Sequence, residues 1–61
     1  MKREEILNRI KVLDEKDITP YLYGVISDGS AMAEGWLNTL EDRNIQTEQE
    51  LIACLDEMNL I

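Results

Sequence analysis

Apolar residues recur at three- and four-residue intervals along this chain, and that periodicity must do nearly all the work of folding it. With no histidine and one cysteine, Cys54, no intramolecular disulfide can form and a zinc site is not expected. At 61 residues the chain is read as a single domain, 1–61. A domain of that size buries only about 60% of the surface its unfolded chain exposes. An apolar fraction of 44% nevertheless suits a globular fold better than a disordered one.

The spacing predicts an all-α fold, a compact bundle of four short helices at about 3–15, 20–28, 31–43 and 48–58. Ile6, Ile10 and Leu13, with Leu7 beside them, share one side of the first helix. Glu5 and Arg9, and Lys11 and Glu15, stand four apart on its wet sides, each pair worth ~0.3 kcal/mol. Thr19-Pro20 reads as the start of the second helix: a hydroxyl at the N-cap, then a proline whose missing N–H costs nothing. Tyr21, Leu22, Val25 and Ile26 then fall within an arc of about 140° at helical spacing.

Ser30 can cap the third helix, where Met32, Ala33, Trp36, Leu37 and Leu40 form the apolar side and Glu34, Asn38, Glu41 and Asp42 the wet one. Gly35 costs this helix about 1 kcal/mol against alanine and marks a place where a neighbouring helix can come close. Asn44 suits the left-handed position after a helix, with Ile45 as its accompanying apolar contact. Thr47 and Glu50 form a capping box ahead of Leu51, Ile52, Leu55 and Met58. The alternative is α+β: a hairpin at 21–37 that turns at Asp28-Gly29, flanked by two helices. Its return strand, Ala31 to Leu37, is made of poor strand formers, which favours helix.

Charge is distributed unevenly. Residues 1–16 carry five basic and four acidic groups, scattered as on an ordinary solvated helix. Residues 17–61 carry nine acids against Arg43 alone, and the whole chain is at −7. Such a body repels nucleic acid and anionic membrane and attracts basic protein surfaces over roughly a Debye length, ~8–10 Å. A recognition helix at 31–43 would present Glu34, Glu41 and Asp42 to phosphates, so direct nucleic-acid binding is not expected. Met1-Lys2-Arg3-Glu4-Glu5 is not followed by the apolar stretch of a signal peptide, and no run approaches the ~20 apolar residues of a membrane span. The expected setting is soluble and cytoplasmic, with no membrane partner.

Catalytic chemistry has little to build on. There is no Ser/His or Cys/His pair, and Cys54 reads as a small core hydrophobe. Asp28-Gly29-Ser30 lacks the spacing of a calcium loop. Adjacent carboxylates such as Glu41-Asp42 and Asp56-Glu57 splay apart on a helix and read as solvation. No enzyme activity, metal or cofactor is expected. Ser30 at a helix start, Leu40-Glu41-Asp42 and Ile45-x-Thr47-x-x-Glu50-Leu51-Ile52 are similar to parts of the acyl carrier proteins, which carry their phosphopantetheine on such a serine. Gly29, Ala31 and Gly35 stand where that family has Asp, Leu and Glu, so Ser30 is read as a helix cap.

Recognition of protein remains. Val12, Tyr23 and Leu60-Ile61 lie off the apolar stripes and, with Trp36, could form an apolar centre rimmed by carboxylates. The expected function is a small non-catalytic binding module, an inhibitor or regulator that docks on a basic surface of a partner protein. Its contacts are assigned to Glu34, Glu41, Asp42, Trp36, Tyr23, Val12, Asp56 and Glu57. In size and acidity the chain resembles inhibitors that mobile elements direct at host nucleases, whose carboxylates imitate phosphates. The alternative is a structural or regulatory homo-oligomer that hides the off-stripe apolar residues.

Overall fold

A computed structural model describes all 61 residues as four helices and no strand: α1 Arg3–Glu15, α2 Leu22–Ile26, α3 Ala31–Asp42 and α4 Glu48–Glu57. The hairpin alternative is therefore excluded. Asp28-Gly29 is a turn into a helix: Gly29 takes a φ of 79° and the Asp28 carboxylate accepts from the Ser30 N–H at 2.8 Å. The molecule measures 26 × 22 × 21 Å, and no helix is long and apolar enough to cross a membrane.

Ile6, Ile10 and Leu13 of α1 meet Leu22 and Ile26 of α2, Leu37 and Leu40 of α3, Ile45, and Leu51 and Leu55 of α4 in one core. Caps written into the sequence bound the last two helices. The Ser30 hydroxyl accepts from the Ala33 N–H at 3.1 Å, and the Thr47 hydroxyl from the Glu50 N–H at 3.1 Å. The Glu50 carboxylate accepts from the Thr47 hydroxyl, in place of the backbone N–H that a full capping box would use. Left-handed residues after α1, α3 and α4 turn the chain: Asp17, Asn44 and Asn59, types whose short polar side chains tolerate positive φ. After α1 and α4 the next N–H closes the turn, Ile18 to the Leu13 carbonyl and Leu60 to the Leu55 carbonyl, each at 2.9 Å.

The second helix differs from expectation. It begins at Leu22, Pro20 lies outside it, and Thr19 does not cap it. The Thr19 side chain is buried and donates to the Asp14 carboxylate instead. Asp14, at the end of α1, also accepts from the Leu22 N–H at 2.9 Å and the Tyr23 N–H at 2.8 Å. A side chain from one helix thus caps the start of another. Burial opposes ionisation of Asp14, but the Thr19 hydroxyl and the Tyr23 and Leu22 N–H groups outweigh it and hold the carboxyl below its ordinary range.

Because α2 starts late, only Leu22 and Ile26 of its expected inward arc reach the core, while Tyr21 and Val25 are exposed. Met32, expected on the buried side of α3, is exposed as well. Gly35 makes no close approach: a Cβ placed there would meet nothing within 4 Å. The expected Glu5–Arg9 and Lys11–Glu15 pairs are absent from the ion pairs formed, which all involve Arg3 or Arg43.

Candidate functional site

Two arginines organise the acidic surface. Arg3, in the first turn of α1, lies along one face of α3 and donates from Nη1 to Glu34 at 2.6 Å, from Nη2 to Asn38 at 2.7 Å and from Nε to Glu41 at 2.8 Å. These three acceptors follow i, i+4, i+7 spacing, so one guanidinium reads a single helix face. Hydrogen bonds to Glu41 and Glu34 raise the Arg3 pKa above its ordinary value. Glu34 and Glu41, expected on a solvated face, are thus joined to α1 within the fold.

Arg43, just after α3, donates to Glu57 at 2.5 Å, and its Nη1 lies 3.9 Å from the Cys54 sulfur. The Glu57 bond is the main cause of its raised pKa, with Cys54 second. Cys54 is half-buried against the core. The bridge brings the C-terminal ends of α3 and α4 together, with Asp42 and Asp56 as the sequence neighbours of its two partners. Both aspartates are exposed and neither forms an ion pair.

The electrostatics of this end are lopsided. A helix C-terminus carries about half a negative charge, which bases in the last turn normally complement. None of the four helices has a base in its last turn. The Arg43–Glu57 bridge ties the two ends, and on the α3 side Arg3, bonded to Glu41, and the N-terminal ammonium, which donates to the Ile45 carbonyl, add positive charge. On α4 the outward arc holds Gln49, Glu50, Ala53, Asp56 and Glu57, all exposed. The unpaired bases Lys2, Arg9, Lys11 and Lys16 all lie on α1 or next to its ends.

The assigned contact residues do not form one patch. Glu57 is bridged to Arg43, with Asp42 and Asp56 exposed beside those two in sequence, while Glu34 and Glu41 gather around Arg3. Tyr23 is half-buried on the core with the Lys11 ammonium 5.7 Å from its ring centroid, and Trp36 is half-buried too. Val12 is exposed on α1; Leu60 packs on the core and Ile61 is exposed. No three His, Cys, Asp or Glu side chains are grouped to hold a metal ion, and no pocket opens in the surface.

Asp14 and Arg3, which position these elements, went unread in the sequence, although both break the dipole rule: an acid in a last turn and a base in a first. Comparison with known proteins finds no matching family model, no similar curated protein and no similar solved structure.

Proposed function

We propose that the chain is a non-catalytic protein-binding module whose α3–α4 end docks on a basic surface of a partner protein, as an inhibitor or regulator. The supporting observation is the placement of Asp42 and Asp56, unpaired at two adjoining helix C-termini. There they oppose folding, since like charge at the negative end of a helix is unfavourable. A cost of this kind is accounted for when a positively charged partner relieves it. The outward arc of α4 extends the same sign of charge, and Ala53 at its centre lets another surface approach closely.

A rim of this kind mainly sets association rate and partner choice. It does not demand that the partner bind nucleic acid, but a groove lined with lysine and arginine is the surface it matches best. The lone, half-buried cysteine is compatible with a cytoplasmic setting. Affinity capture from native-host lysate at about 50 mM and about 500 mM salt tests the reading, because screening shortens the reach of the field from roughly 13 Å to roughly 4 Å. Capture of a basic protein that is lost at high salt supports it; capture insensitive to salt counts against it.

A further inference from the structure

Asp28-Gly29 is the one place in the chain where an aspartate or asparagine precedes a glycine. The other four aspartates and all four asparagines precede residues with side chains, which crowd the following nitrogen. A glycine nitrogen is open to close approach, here by the side-chain carbon of the residue before it. Glu34-Gly35 is the nearest analogue, but its side chain is one methylene longer and is held by Arg3, and its glycine lies inside α3. The 28–29 pair lies instead in the link between α2 and α3, where residues 27–30 are all exposed.

The fold treats the two halves of the pair differently. The Gly29 N–H donates to no backbone carbonyl, and a Cβ built on Gly29 would meet nothing within 4 Å. The nitrogen is thus free and uncovered. Asp28 is held. Its Oδ1 accepts from the Ser30 N–H at 2.8 Å. Ser30 is itself anchored in the first turn of α3, its hydroxyl accepting from the Ala33 N–H and its carbonyl from the Glu34 N–H. Bonding from the Ser30 N–H, and then from its hydroxyl, keeps the Asp28 carboxyl below its ordinary range and so ionised. An ionised carboxylate is a poor target for a nucleophile, because its leaving oxygen must first be protonated.

We infer that Asp28-Gly29 is a site of spontaneous main-chain isomerisation to isoaspartate, and that the turn into α3 holds this reaction in check while the protein is folded. In the first step the Gly29 nitrogen attacks Cγ of the protonated Asp28 carboxyl. A C–N bond forms, a C–O bond breaks, and the hydroxyl leaves with the amide proton as water, closing a five-membered imide. Water then opens the ring. Attack at Cγ restores aspartate, while attack at the main-chain carbonyl leaves Gly29 joined through the Asp28 side chain. No oxidant, reductant or other reactant enters. The isomerised link is one methylene longer and its free carboxylate is the former main-chain one, so the Ser30 N–H loses its partner at the entry to α3. Opening of the 27–30 link, with the rest of the fold intact, is enough to release the reaction. The acidic α3–α4 end takes no part in it.

Warm incubation of the full chain at neutral pH, in water enriched in heavy oxygen, is the test. Each ring opening leaves one heavy oxygen in residue 28, which peptide mapping by mass spectrometry reads. Isoaspartate is counted with an S-adenosylmethionine-dependent isoaspartyl methyltransferase. The protein is followed folded, and unfolded in guanidinium chloride. Label and isoaspartate should appear at residue 28 first in both. The folded protein should convert about ten-fold more slowly, the factor by which a hydrogen bond to a charged group depletes its broken form. Ser30→Pro removes the N–H at a residue whose φ of −68° proline adopts. It should convert faster than Ser30→Ala, which loses the hydroxyl alone; circular dichroism verifies both folds. Asp28→Ser keeps an acceptor for the Ser30 N–H but has no carboxyl carbon, and should take up no label there. Equal rates in the folded and unfolded protein overturn the inference, as does label that enters another aspartate or asparagine ahead of residue 28. A folded Ser30→Pro no faster than Ser30→Ala overturns the part given to the Ser30 N–H.

Discussion

Replacing Asp14 with alanine removes the one side chain that joins α1, the 17–21 connection and α2. The Thr19 hydroxyl, buried in a residue only 3% exposed, loses its acceptor, and the Leu22 and Tyr23 N–H groups lose their cap. An unsatisfied buried hydroxyl costs about 1–3 kcal/mol, and loss of a helix cap about 0.5–2 kcal/mol. Removing an acid from the C-terminal end of α1 returns about 0.3–1 kcal/mol. The net is a loss of about 2–3 kcal/mol, from a total that for this length is roughly 3–9 kcal/mol. The variant should still fold, with a lower urea midpoint, and its hydrogen-exchange protection should fall first at Ser27 and Ile26, whose N–H groups depend on the single turn of α2. Asp14→Asn keeps one acceptor oxygen and should lose about half as much. Because ionised Asp14 is held below its ordinary pKa, its contribution is complete above the unfolded value, ~3.9, and is lost as pH falls through the lower native value. The stability gap between wild type and Asp14→Asn should thus be flat from about pH 5 to 8 and close in stronger acid. An alanine variant within about 0.5 kcal/mol of wild type, with α2 amides equally protected, would refute the role of Asp14 as a cap.

Gly35 is exposed inside α3 with open space around its Cα, so Gly35→Ala should stabilise the fold by about 1 kcal/mol and raise the melting temperature by about 4–8 °C in calorimetry. Arg3→Gln should lower the urea midpoint more at low salt than at high, since its ion pairs with Glu34 and Glu41 are partly solvated and screened. A salt-independent difference would mean that the arginine acts through packing of its stem rather than through charge.

Three of the helices were legible because their signals are local. Ser30 and Thr47 sit directly before the turns they cap, Asn44 directly after the helix it ends, and Ile6, Ile10 and Leu13 repeat within eight residues. The second helix was legible as a helix but its start was not, because the determinant of that start lies eight residues upstream of Leu22, in another helix. Thr19-Pro20 carried a sound local signal that this tertiary contact overrode. With the helix starting two residues later than expected, Tyr21 falls outside it, and Tyr21 and Val25 are at the surface instead of in the expected core. The acidic site was legible as composition but not as geometry. Nothing in residue spacing reports that Arg3 takes up Glu34 and Glu41, 31 and 38 positions away, or that Arg43 bridges to Glu57 on the next helix. The trace each arginine contact leaves is a charge set on the wrong end of a helix or a lone base in an acidic tract, visible as an anomaly without naming its partner.

That anomaly also yields the most direct measurement. Asp42→Lys/Asp56→Lys places two bases in the last turns of α3 and α4, where they complement the helix ends. Comparing urea midpoint and affinity for the captured basic protein, variant against wild type, should show the two moving in opposite directions: a more stable fold that no longer binds. Undiminished affinity in the reversed protein would contradict the assignment of this end as the docking surface.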